Sequence, residues 1–182
     1  MARPTRLKDV QVITFDCYGT LIDWESGAKQ TLRELLTRHE VSTDEDVFFR
    51  AWERVQWVRI HQSYACYRDI VAESFLEVVQ RYGLPCTEAD AAAFATAIPH
   101  WPPFPEVPQA LAALKHRLRL GIISNIDDDL LAGSVAQLGV DFDFASHGGA
   151  GAHLQASGAA FPIGSGALGA ASKASGARSL WL

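Results

Sequence analysis

Nowhere does the sequence hold an apolar run approaching the roughly 20 residues that a membrane-spanning helix needs. Its start, Met1-Ala2-Arg3-Pro4-Thr5-Arg6-Leu7-Lys8-Asp9, lacks the apolar stretch of a secretory signal. The expectation is a cytosolic protein with no membrane partner. Basic charge is also scarce, since 16 Lys and Arg face 21 Asp and Glu and leave a net charge of -5. A generic phosphate-backbone binder needs a basic stripe that displaces counterions, so no nucleic acid partner is expected. Cysteine is rare: Cys17, Cys66 and Cys86 are odd in number, widely spaced and free of any CxxC pair. That excludes a disulfide framework and a zinc site, and leaves free thiols. What is present is ordinary for a globular chain, with 48% hydrophobic and 20% charged residues. The 182 residues suffice for one compact domain, or for a small core carrying an inserted subdomain.

Val10, Val12, Ile13 and Phe15 form a short β-branched and aromatic run that ends at Asp16, with a turn residue, Gly19, soon after. This pattern predicts a buried strand that delivers an acid to its carboxyl end, where ligands bind in open α/β sheets. From about residue 26 to 98 the periodicity is helical. Leu32, Leu35 and Leu36 recur at i, i+3, i+4, and Ile70, Val71, Ser74, Phe75, Val78, Val79 and Tyr82 share one face. Three or four helices are expected, with Gly83 and Pro85 as a stop and Thr87 with Asp90 as a start. Prolines make residues 100–108 rigid and extended. A helix over about 107–116, with Ala110, Leu111 and Leu114 inward, leads to a second buried strand over 118–123 that ends on Ser124 and Asn125. Asp127 is placed to cap a further helix through Leu130, Leu131, Val135 and Leu138, closed by Gly139. Residues 140–144 are expected to open a third strand. This order predicts an α/β fold: a Rossmann-like parallel sheet core interrupted once, after its first strand, by an α-helical insertion.

Phe15-Asp16-x-Tyr18-Gly19-Thr20-Leu21 resembles the first motif of the haloacid dehalogenase superfamily, and Ile122-Ile123-Ser124-Asn125 resembles its second. The intervening helices are similar to the family's cap, and the Pro103–Leu114 stretch to the usual return into the core. The resemblance implies a discontinuous core over 1–22 and 100–144, a helical cap over 23–99 and a separate tail over 145–182. It also implies that Asp16 is the nucleophile and forms an ester that water later cleaves. The superfamily's phosphatases carry a second Asp two residues after the nucleophile, as a general acid. Here that position is Tyr18, which is typical of the 2-haloacid dehalogenase branch, whose halide leaving group needs no proton and whose chemistry needs no magnesium.

Carried over from that branch, Thr20 positions Asp16 or its ester and Tyr18 lines the pocket. Ser124 and Asn125 hold the substrate carboxylate or halide, although the same pair also suits a plain turn after a strand. Arg54 is the nearest match to the family's cap arginine, with Arg50, Arg59 and Arg68 competing and a solvated helix face as the ordinary use of such a residue. Trp52, Trp57, Tyr64 and Tyr67 either wall a pocket or pack the core. The implied substrate is a small molecule, a 2-haloacid or another small carboxylate, turned over without cofactor or metal to a 2-hydroxy acid. A homodimer stays open. Two rival readings remain: a phosphatase of the same superfamily requiring magnesium, and a noncatalytic remnant that only folds or binds a partner.

The tail departs from the family. Residues 145–182 contain 8 Gly, 11 Ala and 6 Ser and no Asp or Glu. Such composition offers little apolar surface to offset ordering entropy, so flexibility is expected, and the tail reads as a poor candidate for completing a sheet. The family's charge-balancing lysine and acidic motif are not recognisable, and Lys173 lies in the wrong context. One admissible codon set for residues 149–156, read one base later, encodes Glu-Gln-Val-Arg-Thr-Tyr-Lys-Pro, which resembles the family's lysine motif. A second set, for residues 160–169, gives a helix-patterned segment. The expectation is a frameshifted carboxyl terminus and weak or absent activity.

Overall fold

The computed structural model describes residues 10–62, 65–147 and 155–156. Strand β1 (Val12–Phe15) ends at Asp16, and a turn then feeds an insertion of four helices: α1 (Trp24–Arg38), α2 (Glu45–Gln62), α3 (Tyr67–Tyr82) and α4 (Glu88–Thr96). A 3-10 turn over Ile98–His100 leads back to α5 (Val107–Lys115), β2 (Arg119–Ser124), α6 (Asp128–Gln137), β3 (Phe144–His147) and the two-residue β4 (Gln155–Ala156). The sheet order is β1-β2-β3-β4, with β1, β2 and β3 parallel and β4 antiparallel to β3. A parallel three-stranded sheet with a helical insertion after its first strand is the predicted fold class.

The insertion forms because each helix has an apolar stripe and a defined end. Leu32, Leu35 and Leu36 of α1 are buried, as are Phe48, Phe49, Trp52 and Val55 of α2. Trp52 is fully buried and meets Phe94 of α4 edge to face, with ring centroids 5.0 Å apart. Gly83 ends α3 at φ +62°, a conformation that costs glycine little. Thr87 and Asp90 form a reciprocal capping box at the start of α4. Behind the sheet, Leu111, Leu120, Ile122, Leu130 and Leu138 make the α/β core.

Four expectations change. β1 is only half-buried, with Val12 42% exposed, because among the described residues it is the edge strand and one of its faces is open. Ala110 faces solvent, since the stripe of α5 that packs runs through Val107 and Leu111. The third strand begins at Phe144 rather than at 140, because Leu138 and Phe142 are drawn into the core and residues 138–143 are taken up by the descent from α6. The tail does contribute to the sheet, where Ala156 pairs with Phe144 and Gln155 with Ala145. Ladder pairing uses backbone groups, which a Gly/Ala/Ser composition still supplies. Apart from residues 155–156, the residues on which the frameshift expectation falls lie outside the described residues, as do Lys173 and Tyr64. Among the described residues, no helix is long and apolar enough to cross a membrane.

Candidate active site

Parallel pairing decides where the first acid sits. Phe15 lies opposite Ile122 in the β1–β2 register, so Asp16 and Ser124 leave neighbouring strands at the same carboxyl end. Adjacent strands are about 4.8 Å apart, which brings two segments 108 residues distant in sequence to one end of the sheet. Asp16 is half-buried there. Burial raises its carboxyl above the ordinary value, and the hydrogen bond from the Cys17 backbone only partly opposes this.

The turn after β1 is tight. Leu21 and Ile22 both donate their backbone N–H to the Cys17 carbonyl, at 2.8 and 3.0 Å, and Gly19 donates to Ile22 at 2.9 Å. Gly19 sits at φ +83°, a region that side chains disfavour. The turn is also pinned to the returning chain, because Asp23 donates to the Pro102 carbonyl at 2.8 Å and Phe104 to Leu21 at 3.1 Å. Thr20 is exposed at the tip of this turn. Cys17 is fully buried, and burial together with the neighbouring Asp16 charge pushes its thiol up to about 12. It remains protonated and is no rival nucleophile.

Tyr18 points its phenol into the structure. Its Oη shares a 2.7 Å hydrogen bond with Ser134 Oγ of α6, and its ring meets Trp101 edge to face. Burial raises the phenol far above its usual value despite the Ser134 bond, with smaller contributions from Cys17 and Tyr67. Tyr67 stands at the start of α3 and accepts a hydrogen bond from Gln56 Nε2 of α2. Ser134 and Gln56 carry no motif in the sequence. The signal for each is a polar residue on an otherwise apolar helical stripe: Leu130, Leu131 and Ser134 in α6, continued by Leu138 at its C-cap, and Phe49, Trp52, Val55 and Gln56 in α2.

Ser124 is buried at the end of β2, while Asn125 next to it is exposed. The structure therefore brings Asp16, Tyr18, Thr20, Ser124 and Asn125 to one end of the sheet. Arg54 is not among them. It is exposed on α2 and lines a groove with Val55, Val58, Arg59, Gln62, Glu77 and Arg81, none of which belongs to that end. Trp52 packs the helical insertion, and Trp57 is 49% exposed. Asp127 does not cap α6 with its side chain; its carboxylate reaches α3 instead.

A hard divalent cation needs several oxygen donors, with carboxylates prominent. Among the described residues, no group of three or more His, Cys, Asp or Glu could hold a metal ion. Beside Asp16 stand a protonated buried thiol and a phenol already bonded to Ser134.

Residues 10–156 match the family model of haloacid dehalogenase-like hydrolases. The chain is 31% identical over 140 residues to the (S)-2-haloacid dehalogenase of Xanthobacter autotrophicus, covering 74% of this chain and 53% of that protein. It is 28% identical over 141 residues to haloacetate dehalogenase H-2 of a Moraxella species (strain B), covering 76% of this chain and 62% of that protein. The solved structure of the L-2-haloacid dehalogenase from X. autotrophicus, with chloropropionic acid covalently bound, superposes with a TM-score of 0.61 at 29% identity, covering 75% of this chain and 55% of that one. The chain thus spans between about half and three fifths of the length of these relatives. An acid at the end of the first parallel strand, a Ser-Asn pair at the end of the second and a family match over most of the chain have one common explanation: the protein belongs to the haloacid dehalogenase-like hydrolases.

Proposed function

We propose that the chain is a hydrolase of the 2-haloacid dehalogenase type. The carboxylate of Asp16 attacks the carbon bearing the halogen of a 2-haloacid, and the carbon–halogen bond breaks with release of halide. Water then cleaves the resulting ester, returning the Asp16 carboxylate and giving a 2-hydroxy acid and a proton. Thr20 positions Asp16 or its ester, Tyr18 lines the pocket, and Ser124 and Asn125 hold the substrate carboxylate or the leaving halide.

The observation that carries this reading is the state of Tyr18. An alkoxide leaving group demands a proton, whereas a halide does not. The group two residues after Asp16 is a phenol, a weak acid that burial weakens further, and it is turned towards Ser134, so it is poorly suited to act as a general acid. The relative with chloropropionic acid covalently bound supports the same substrate class.

The test is a screen of this chain, and of a version carrying the alternative-frame tail, for halide release from several 2-haloacids and for phosphate release with magnesium. The expected result is metal-independent halide release that Asp16→Asn abolishes, stronger in the alternative-frame version. Magnesium-dependent phosphate release, or no halide release from either chain, overturns the proposal.

A further inference from the structure

Helix α3 of the insertion starts without a cap of its own. Its N-cap residue, Cys66, makes no side-chain capping bond, although the first amides of any helix lack intrahelical partners. Those amides are satisfied from the other part of the fold. Asp127 Oδ1 accepts from Tyr67 N at 3.0 Å, and Asp127 Oδ2 accepts from Arg68 N at 2.9 Å. The acid comes from 60 residues further along the chain, in the loop leaving β2, three positions after Ser124 and two after Asn125. Its backbone meanwhile starts α6, where Leu131 N donates to the Asp127 carbonyl at 3.0 Å. One residue therefore opens a core helix with its main chain and an insertion helix with its side chain. A carboxylate also suits the positive end of a helix. Arg68 makes a second, solvent-facing tie to Asp129.

This contact bears on the candidate site through Tyr67. Its phenol is held by Gln56, and Tyr67 and Tyr18 both pack against the same buried core cluster. Tyr18 in turn belongs to the turn that carries Asp16, and Asp127 belongs to the loop that carries Ser124 and Asn125.

We infer that Asp127 is the positioning residue that docks the helical insertion on the α/β core, by capping α3 from the Ser124–Asn125 loop and so holding Tyr67 against the core cluster that also packs Tyr18 of the nucleophile turn. The inference rests on this geometry and does not depend on which substrate is turned over.

Backbone amide exchange, followed by mass spectrometry on the full chain, tests it in Asp127→Ala, Asp127→Asn and, as a control for the exposed ion pair, Arg68→Ala. With Asp127→Ala, exchange at the start of α3 rises about ten-fold or more, and the nucleophile turn around Leu21 and Ile22 speeds up several-fold. The middle of α3, around Val78, stays protected. Asp127→Asn, which keeps one acceptor oxygen, recovers a large part of the protection, and Arg68→Ala changes exchange less than about two-fold. Acceleration confined to residues 67–70 reduces Asp127 to a local cap and overturns the docking role. Uniform acceleration of the whole chain does so too, because it reports global destabilisation. Since exchange needs no turnover, a failed docking test leaves the proposed reaction standing, and absent halide release leaves the docking inference standing.

Discussion

The phenol oxygen of Tyr18 lies 2.7 Å from Ser134 Oγ, joining the residue two places after the candidate nucleophile to a serine 116 positions later that is fully buried in α6. A buried hydroxyl left without its partner carries a desolvation penalty, so Ser134→Ala is expected to lower unfolding stability by about 1–2 kcal/mol. In the Tyr18→Phe background the same change costs much less, because no phenol is then orphaned. Denaturant titration of the two single variants and the double variant measures the coupling. A coupling near zero contradicts the bond.

Asp16 carries a carboxyl whose pKa burial has raised. The proposed reaction uses the ionised form, so activity is present above that raised pKa and is lost as pH falls through it. The acid limb of kcat/KM for halide release is expected to lie above about 3.9, the ordinary aspartate value. In folding the sign is reversed, since the desolvated carboxylate opposes the native state at neutral pH. Asp16→Asn should abolish turnover while leaving Tm unchanged or higher.

Asp90 shows the opposite shift. Burial acts to raise it, but the Thr87 backbone and hydroxyl bonds and the His39 contact at 2.8 Å outweigh burial and hold its carboxyl below the usual value. A folded pKa below the unfolded one means that stability is fully present above the unfolded value and is lost as pH falls through the folded one. Asp90→Ala is expected to cost about 2 kcal/mol at neutral pH, through the lost capping box and the unpaired partners. Asp90→Asn should flatten the decline of stability below about pH 4. Thermal melts across pH test both.

Cys17 and Cys66 should differ sharply towards alkylating reagents. Cys17 is buried with its thiol pushed up to about 12, whereas Cys66 is exposed. In native protein at pH 8, Cys66 is expected to label fully while Cys17 stays unmodified until denaturant is added, as read by peptide mass spectrometry. Labelling of native Cys17 at a rate near that of Cys66 would contradict its buried place beside Asp16.

Arg54, the sequence's candidate anion ligand, lines a groove between α2 and α3. Arg54→Ala is expected to change KM for a 2-haloacid by less than about two-fold. A ten-fold rise would bring this residue back to the site.

Much of this protein was legible in local pattern. The run ending at Asp16, the helical stripes of the insertion, the Thr87/Asp90 start, the Gly83 stop and the Ser124–Asn125 strand end each depend on neighbours a few residues apart, and periodicity and capping report such neighbours directly. The family motifs added the pairing of Asp16 with Ser124, which no local rule contains. Tertiary structure alone decided what lies opposite what. It turned the Asp127 carboxylate away from its own helix to α3, matched Ser134 to Tyr18, placed Arg54 on an outer face and made β1 an edge strand among the described residues. The physical reason is the same in each case. A hydrogen bond across 60 or 116 residues leaves no periodic trace in the sequence, because its partners are chosen by packing geometry after the elements have formed.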